Sequence, residues 1–288
     1  MEFETNNCHL VKYSDIKELS DSKFKIPIRT YDLYLVDAFE DRNIQFTTHE
    51  DHIIASGITR ADIYYFINEC YYTNKFLDVI PVEISIPSVS FELPYSLAEF
   101  FLDGIPHRMP PGNLVKLFIN ALSSYPKTFI RLNALSPHIR DCIHEPLFLI
   151  SQFKKSPRIT NTIRTMMEYK SPIYLVAREW IEMEPEMEFR CFIYKTTLTA
   201  ISQYYSIDLP QEQKDKIQKQ ICEFWAANKN SVPYEDCVMD VVVDASDKVR
   251  IIEFGPFGID LNAGSCSYNW LQDAHILYGA RCKIPDIR

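Results

Sequence analysis

Val238-Met239-Asp240-Val241-Val242-Val243-Asp244, a short turn, then Val249-Arg250-Ile251-Ile252-Glu253-Phe254-Gly255-Pro256-Phe257 reads as two β-branched strands joined in a hairpin. Each strand carries a carboxylate among apolar neighbours, and a buried carboxylate is costly unless a cation compensates it. A hairpin centred on Ser246 and Asp247 sets Asp240 opposite Glu253, and opposed residues of an antiparallel pair project to one face. Like charges so placed repel, which calls for a divalent cation or a shared proton between them. Magnesium suits the first case, because it takes one or two carboxylates and completes its shell with water and nucleotide phosphates. The other reading is an ordinary hairpin whose acids reach solvent at a sheet edge. The hairpin alone leaves both open.

Working outward, Gln211 to Asn228 repeats Ile217, Ile221, Phe224 and Trp225 along one stripe, the pattern of an amphipathic helix leading into the hairpin. Glu188 to Tyr194 and Leu198 to Gln203 read as antiparallel strands joined around Lys195 to Thr197. In the first of these, Glu188 and Arg190 share one face while Phe189, Cys191 and Ile193 share the other. An arginine on a strand presents a planar fork of donors suited to phosphate, although a surface ion pair of small energy explains the same pattern. Thr128 to Leu132, Leu147 to Phe153 and Ile173 to Trp180 read as further strands, which puts Arg131, Lys154, Arg178 and Arg190 in or beside strands. Several cations beside two acids are what a nucleotide–metal site requires. Strands interleaved with helices, with antiparallel pairs among them, indicate an α+β fold.

The formal charge of −9 over 288 residues disfavours a protein that grips a long nucleic-acid duplex, so none is expected as partner. Eight cysteines lie far apart, without a zinc or redox spacing. Seven glycines provide no phosphate loop of the Gly-x-x-x-x-Gly-Lys or Gly-x-Gly-x-x-Gly type. His49 and His52 flank Glu50 and Asp51, a pair that reads as a solvated polar turn rather than as metal ligands. No apolar run is long enough to span a bilayer, and Met1-Glu2-Phe3-Glu4-Thr5 lacks the blocks of a secretory signal. A cytoplasmic monomer without membrane contact is expected.

Ile105-Pro106-His107-Arg108-Met109-Pro110-Pro111-Gly112 cannot easily continue a helix or central strand and places a boundary near residue 110. Three regions follow: 1–110 packed on the core, 111–180, and 181–288 with the hairpin. Upstream of the boundary, Arg60 to Tyr72 reads as helical and Val79 to Phe91 as extended. Downstream, Asn113 is expected to cap a helix carrying Leu114, Leu117, Phe118, Ala121 and Leu122.

Phe129-Ile130-Arg131-Leu132-Asn133, Ser136-Pro137, Arg178-Glu179-Trp180, Glu188-Phe189-Arg190-Cys191-Phe192, Ile201-Ser202-Gln203-Tyr204-Tyr205, Asp240 and Ile252-Glu253-Phe254-Gly255-Pro256-Phe257 stand in the order and spacing of a known family. Over residues 113 to 275 the chain resembles the cell division cycle protein 123 family. The resemblance implies an ATP-grasp fold, in which two α+β lobes close on ATP and magnesium. It implies that Arg131, Asn133 and His138 lie near the phosphates and that Lys154 stands at a strand end. Arg178, Trp180 and Ile181 would form the hinge on which adenine packs, and Arg190 would face phosphate. Asp240 and Glu253 would hold magnesium, so that Asp240→Ala should abolish metal-dependent binding and leave the fold intact.

Three residues depart from the family pattern. Arg131 replaces a lysine, Glu253 an aspartate, and Gly255 an asparagine that would be a further metal ligand. The resemblance implies an ATP-dependent assembly factor for translation initiation factor 2, with its gamma subunit as partner. An ATP-grasp ligase acting on a carboxylate or RNA end, or a nucleotide-binding pseudoenzyme, are the alternatives.

Overall fold

The computed structural model describes residues 71–77, 79–105, 108–137, 142–205, 207, 209–258, 264–270, 272–279 and 285–287, together with the backbone of three strands nearer the N-terminus. Those three, β1 (Phe24–Pro27), β2 (Gln45–His49) and β3 (His52–Ser56), form an antiparallel sheet in the order β1-β3-β2. His49 pairs with His52 across the β2–β3 connection. Most of the helix expected over Arg60 to Tyr72, and His138, lie outside the described residues.

A second sheet sets β4 (Ser88–Glu92) and β5 (Thr128–Leu132) on either side of β6 (Tyr174–Glu179), both antiparallel to it. Ile130, Leu132, Leu175 and Ala177 alternate onto one face and pack against three helices, Gly112–Leu122, Pro146–Lys155 and Pro157–Glu168. Arg131, Arg178, Val176 and Phe129 fall on the opposite face by the same alternation.

Leu147 to Phe153, expected as a strand, is helical. The Glu145 carboxylate accepts from the backbone N–H groups of Leu147 and Phe148, and Pro146 occupies the first turn. Leu149, Ile150 and Phe153 are buried while Leu147 and Phe148 are exposed, which is a helical rather than an alternating pattern. A short apolar run does not distinguish the two, and here the cap decides. The preceding helix begins at Gly112 behind Pro111, so Asn113 lies inside it rather than capping it.

The boundary expected near residue 110 does not separate two cores. β4 lies upstream of it yet belongs to the second sheet, and Leu93, Ala98, Phe100 and Phe101 join the same apolar cluster as the three helices. Phe76 and Ile80 pack instead under the third sheet, and Ile86 N–H donates to the Ile251 carbonyl at 3.3 Å. The segment 71–101 therefore contributes to both layers.

The third sheet has the order β10-β9-β7-β8-β11, from β7 (Glu188–Tyr194), β8 (Thr197–Gln203), β9 (Cys237–Val243), β10 (Val249–Gly255) and a short parallel strand, β11 (Asp286–Ile287). Helix Gln211–Asn228 covers one face with Ile217, Ile221 and Trp225 against Phe189, Cys191, Met239, Val241 and Ile251. The other face is divided. Phe192, Ala200 and Val238 meet Phe257, Tyr268, Trp270, Leu277 and Tyr278 in an aromatic cluster at one end, and Glu188, Arg190 and Asp240 occupy the rest.

Candidate functional site

The hairpin reaches the expected pairing by a different route. Beside the turn, Val243 pairs with Val249 and Val241 with Ile251, a register that would continue to Asp240 opposite Ile252. A β-bulge between Ile251 and Glu253 shifts it by one residue and sets Asp240 opposite Glu253. Without the bulge Glu253 would share the face of Val249 and Ile251, inside the core under helix Gln211–Asn228. One extra residue thus turns Glu253 out of an apolar core and onto the face of Asp240 and Arg190, while Phe254 takes the core position beside Met239. The turn is organised by the Asp244 carboxylate, which accepts from the Ser246 and Lys248 N–H groups and pairs with Arg250 at 2.9 Å. Burial opposes its ionisation, but these partners hold it below the usual carboxylate range.

Register then lines four polar residues across four strands: Ser202, Arg190, Asp240 and Glu253 are successive partners on β8, β7, β9 and β10. Arg190 grips Asp240 with both prongs of its fork, Nε to Oδ1 at 2.8 Å and Nη2 to Oδ2 at 2.7 Å. Its remaining prong, Nη1, donates to the Gly264 carbonyl at 2.7 Å, and the guanidinium lies 4.9 Å from the centre of the Tyr204 ring. Burial works against the arginine's charge, but Asp240 overrides it and raises the Arg190 pKa. Partial burial first, then the Asp240 charge, push Tyr204 up to about 12.

Glu253 is met from the other sheet. Arg131 Nη1 on β5 donates to Glu253 Oε2 at 2.5 Å, a contact between residues 122 apart in sequence, while its Nε donates to the Leu132 carbonyl. Burial resists ionisation of Glu253, yet Arg131 outweighs it and the carboxyl falls below its usual range. Arg178, on the strand next to Arg131, is buried and donates from Nε to Ser88 Oγ at 3.1 Å, but its Nη2 has no hydrogen-bond partner. Burial, with Arg131 nearby, lowers its pKa to about 9.

The structure thus brings Arg131, Arg178, Arg190, Asp240 and Glu253 together. Two other candidates are committed elsewhere. Asn133 is a staple: its amide donates to Asn74 and to the Pro172 carbonyl, and its Oδ1 accepts from the Tyr174 N–H. Lys154 stands in the last turn of a helix rather than at a strand end, with its amine 2.8 Å from Asp103 and over the Phe100 ring. Trp180 and Ile181, both partly buried, follow β6 directly, and the Trp180 ring lies 6.3 Å from Phe129.

Glu188 emerges as a third acid of this cluster, which the sequence had only placed on a charged face. Burial first, then the neighbouring Asp240 and Glu253 charges, push it up to about 7. Its alternation with Arg190 was the available signal; the like-charged neighbours come from other strands.

The arrangement fits an anion better than a divalent cation. A buried guanidinium nitrogen without an acceptor is what a phosphate oxygen would satisfy. The two acids that would hold magnesium are instead bound to arginine, and Gly255 offers no side-chain oxygen. Among the described residues no three His, Cys, Asp or Glu side chains are grouped to hold a metal, and no helix is long and apolar enough to cross a membrane.

Known proteins share this framework. The D123 family model matches residues 141–280. A Cdc123-like protein of Acanthamoeba polyphaga mimivirus is 30% identical over 188 residues, 58% of this chain and 57% of that protein. The translation initiation factor eIF2 assembly protein of Xenopus tropicalis is 41% identical over 90 residues, 29% of this chain and 26% of that protein. The chain thus spans little more than half of the first relative and about a quarter of the second. The structure of Cdc123 from Schizosaccharomyces pombe superposes with a TM-score of 0.64 at 16% identity, over 76% of this chain and 95% of that one, a likeness of fold. The α+β class expected from the sequence is the class found, in the arrangement of the Cdc123 structure.

Proposed function

We propose that the chain is a member of the cell division cycle protein 123 family, which the matches over residues 141–280 support, and that it is a nucleotide-binding assembly factor. ATP occupies the cleft between the second and third sheets, and the loaded protein, a cytoplasmic monomer, brings subunits of translation initiation factor 2 together, its gamma subunit among them. The names of the relatives support the assembly role. The observation that carries the nucleotide half is Arg178, whose buried Nη2 lacks an acceptor next to the Arg131 guanidinium. An unmet buried charged donor is expensive, and a phosphate oxygen relieves it.

Arg131 and Arg178 would neutralise phosphate oxygens, and Trp180 and Ile181 would wall the base. A ligase is the weaker reading: metal-assisted phosphoryl transfer needs its acids on a metal, whereas here Asp240 gives both oxygens and Glu253 one to arginine. Thermal unfolding with and without ATP tests the proposal. The wild type should be stabilised and an Arg178→Met variant, folded by circular dichroism, should not respond. No response in the wild type refutes nucleotide binding. Failure to retain the gamma subunit of translation initiation factor 2 in the presence of ATP refutes the partner.

A further inference from the structure

We propose that this cleft binds a polyphosphate on arginine alone, without a divalent cation. The inference rests on the nucleotide reading and specifies the chemistry of the same site. A metal is needed where converging acids have nothing else to neutralise them, and here they do. Asp240 gives both oxygens to the Arg190 fork, and Glu253 takes Arg131 from across the cleft at 2.5 Å. Magnesium requires oxygen ligands close around it in a near-octahedral shell, so it would have to displace the charge-assisted bonds of Asp240 and share Glu253 with Arg131.

Three residues of the site act in one direction. The longer Glu253 and the forked Arg131 meet each other across the cleft, and Gly255 leaves no side chain as a further ligand. Arg131 and Arg190 are paired with Glu253 and Asp240, Glu188 is a third acid beside them, and Arg178 is the guanidinium with an unmet donor. The cation that a phosphate oxygen would meet is therefore covalently part of the chain. Arginine supplies it in a planar fork matched to phosphate oxygens.

The test is calorimetric titration of the full chain with ATP, and separately with inorganic tripolyphosphate, in excess magnesium and in excess chelator. The expected result is that Kd for each probe changes by less than about fivefold between the two buffers. Binding that weakens more than this in chelator, or is seen only with magnesium, overturns the inference and leaves the nucleotide reading standing. No binding of either probe in any buffer overturns both. A triple variant, Arg131→Lys with Glu253→Asp and Gly255→Asn, is expected to acquire magnesium dependence of about tenfold or more. If it folds and stays as indifferent to magnesium as the wild type, arginine is not what replaces the metal.

Discussion

The two sheets joined by the Arg131–Glu253 contact handle charge differently. On the five-stranded side, Arg190 and Asp240 are register partners on adjacent strands, and the fork engages both carboxylate oxygens while its remaining nitrogen meets the Gly264 carbonyl. On the three-stranded side, Arg131 finds its carboxylate only on the opposing sheet, and Arg178 has one nitrogen left unmet. Neighbouring strands can resolve a buried charge locally because register fixes who faces whom. A sheet that presents two guanidiniums side by side must take counter-charge from elsewhere, and what it fails to obtain is capacity for a ligand.

The largest break in that contrast comes from Asp240→Ala. It strands the buried Arg190 fork, and removing one partner of a buried pair costs about 3–5 kcal/mol. Denaturant unfolding should show that loss directly. This replaces the expectation that the variant leaves the fold intact, because the carboxylate is a structural partner of Arg190 and not only a metal-ligand candidate.

Glu253→Gln should cost less, roughly 2 kcal/mol, because Glu253 is a third exposed and Arg131 keeps its bond to the Leu132 carbonyl. The same change removes the anion that competes for Arg131. Affinity for tripolyphosphate should rise by about tenfold, equivalent to ~1.4 kcal/mol. A fall would mean that Glu253 positions Arg131 rather than competing for it.

Glu188 sharpens the comparison through pH. Its folded pKa of about 7 lies above the ordinary 4.5, so between those values the folded chain holds a proton that the unfolded chain releases. Stability from this group therefore falls as pH rises from about 4.5 through 7 and is level above that. Glu188→Gln should remove the slope and leave the protein more stable than wild type at pH 8 by roughly 1–3 kcal/mol, read from thermal or urea unfolding across pH. An unchanged pH profile would place Glu188 outside the acid cluster.

The smallest effect is expected away from the cleft. Lys195 and Thr196 form the β7–β8 turn with φ of 48° and 60°, a conformation that a β-branched residue adopts at a cost. Thr196→Gly should stabilise the chain by about 0.5–1 kcal/mol and leave anion binding unchanged.

Much of the framework was legible before any coordinates. Thr128 to Leu132, Glu188 to Tyr194 and Gln211 to Asn228 coincide with the observed elements, since alternation and helical stripe report burial directly. Leu147 to Phe153 was not legible as a helix, because its apolar run matches either period until Glu145 caps it. Asn133 and Lys154 were named for their chemistry, and their partners Pro172, Asn74 and Asp103 lie too far along the chain for local pattern to find.

By itself the sequence determined which side chains stand on strands, which faces they share, and that acids and arginines are interleaved, because those follow from short-range periodicity. Only the tertiary structure decided which acid meets which arginine. That choice depends on a one-residue bulge at Ile252 and on a contact spanning 122 residues between two sheets, and no local pattern specifies either.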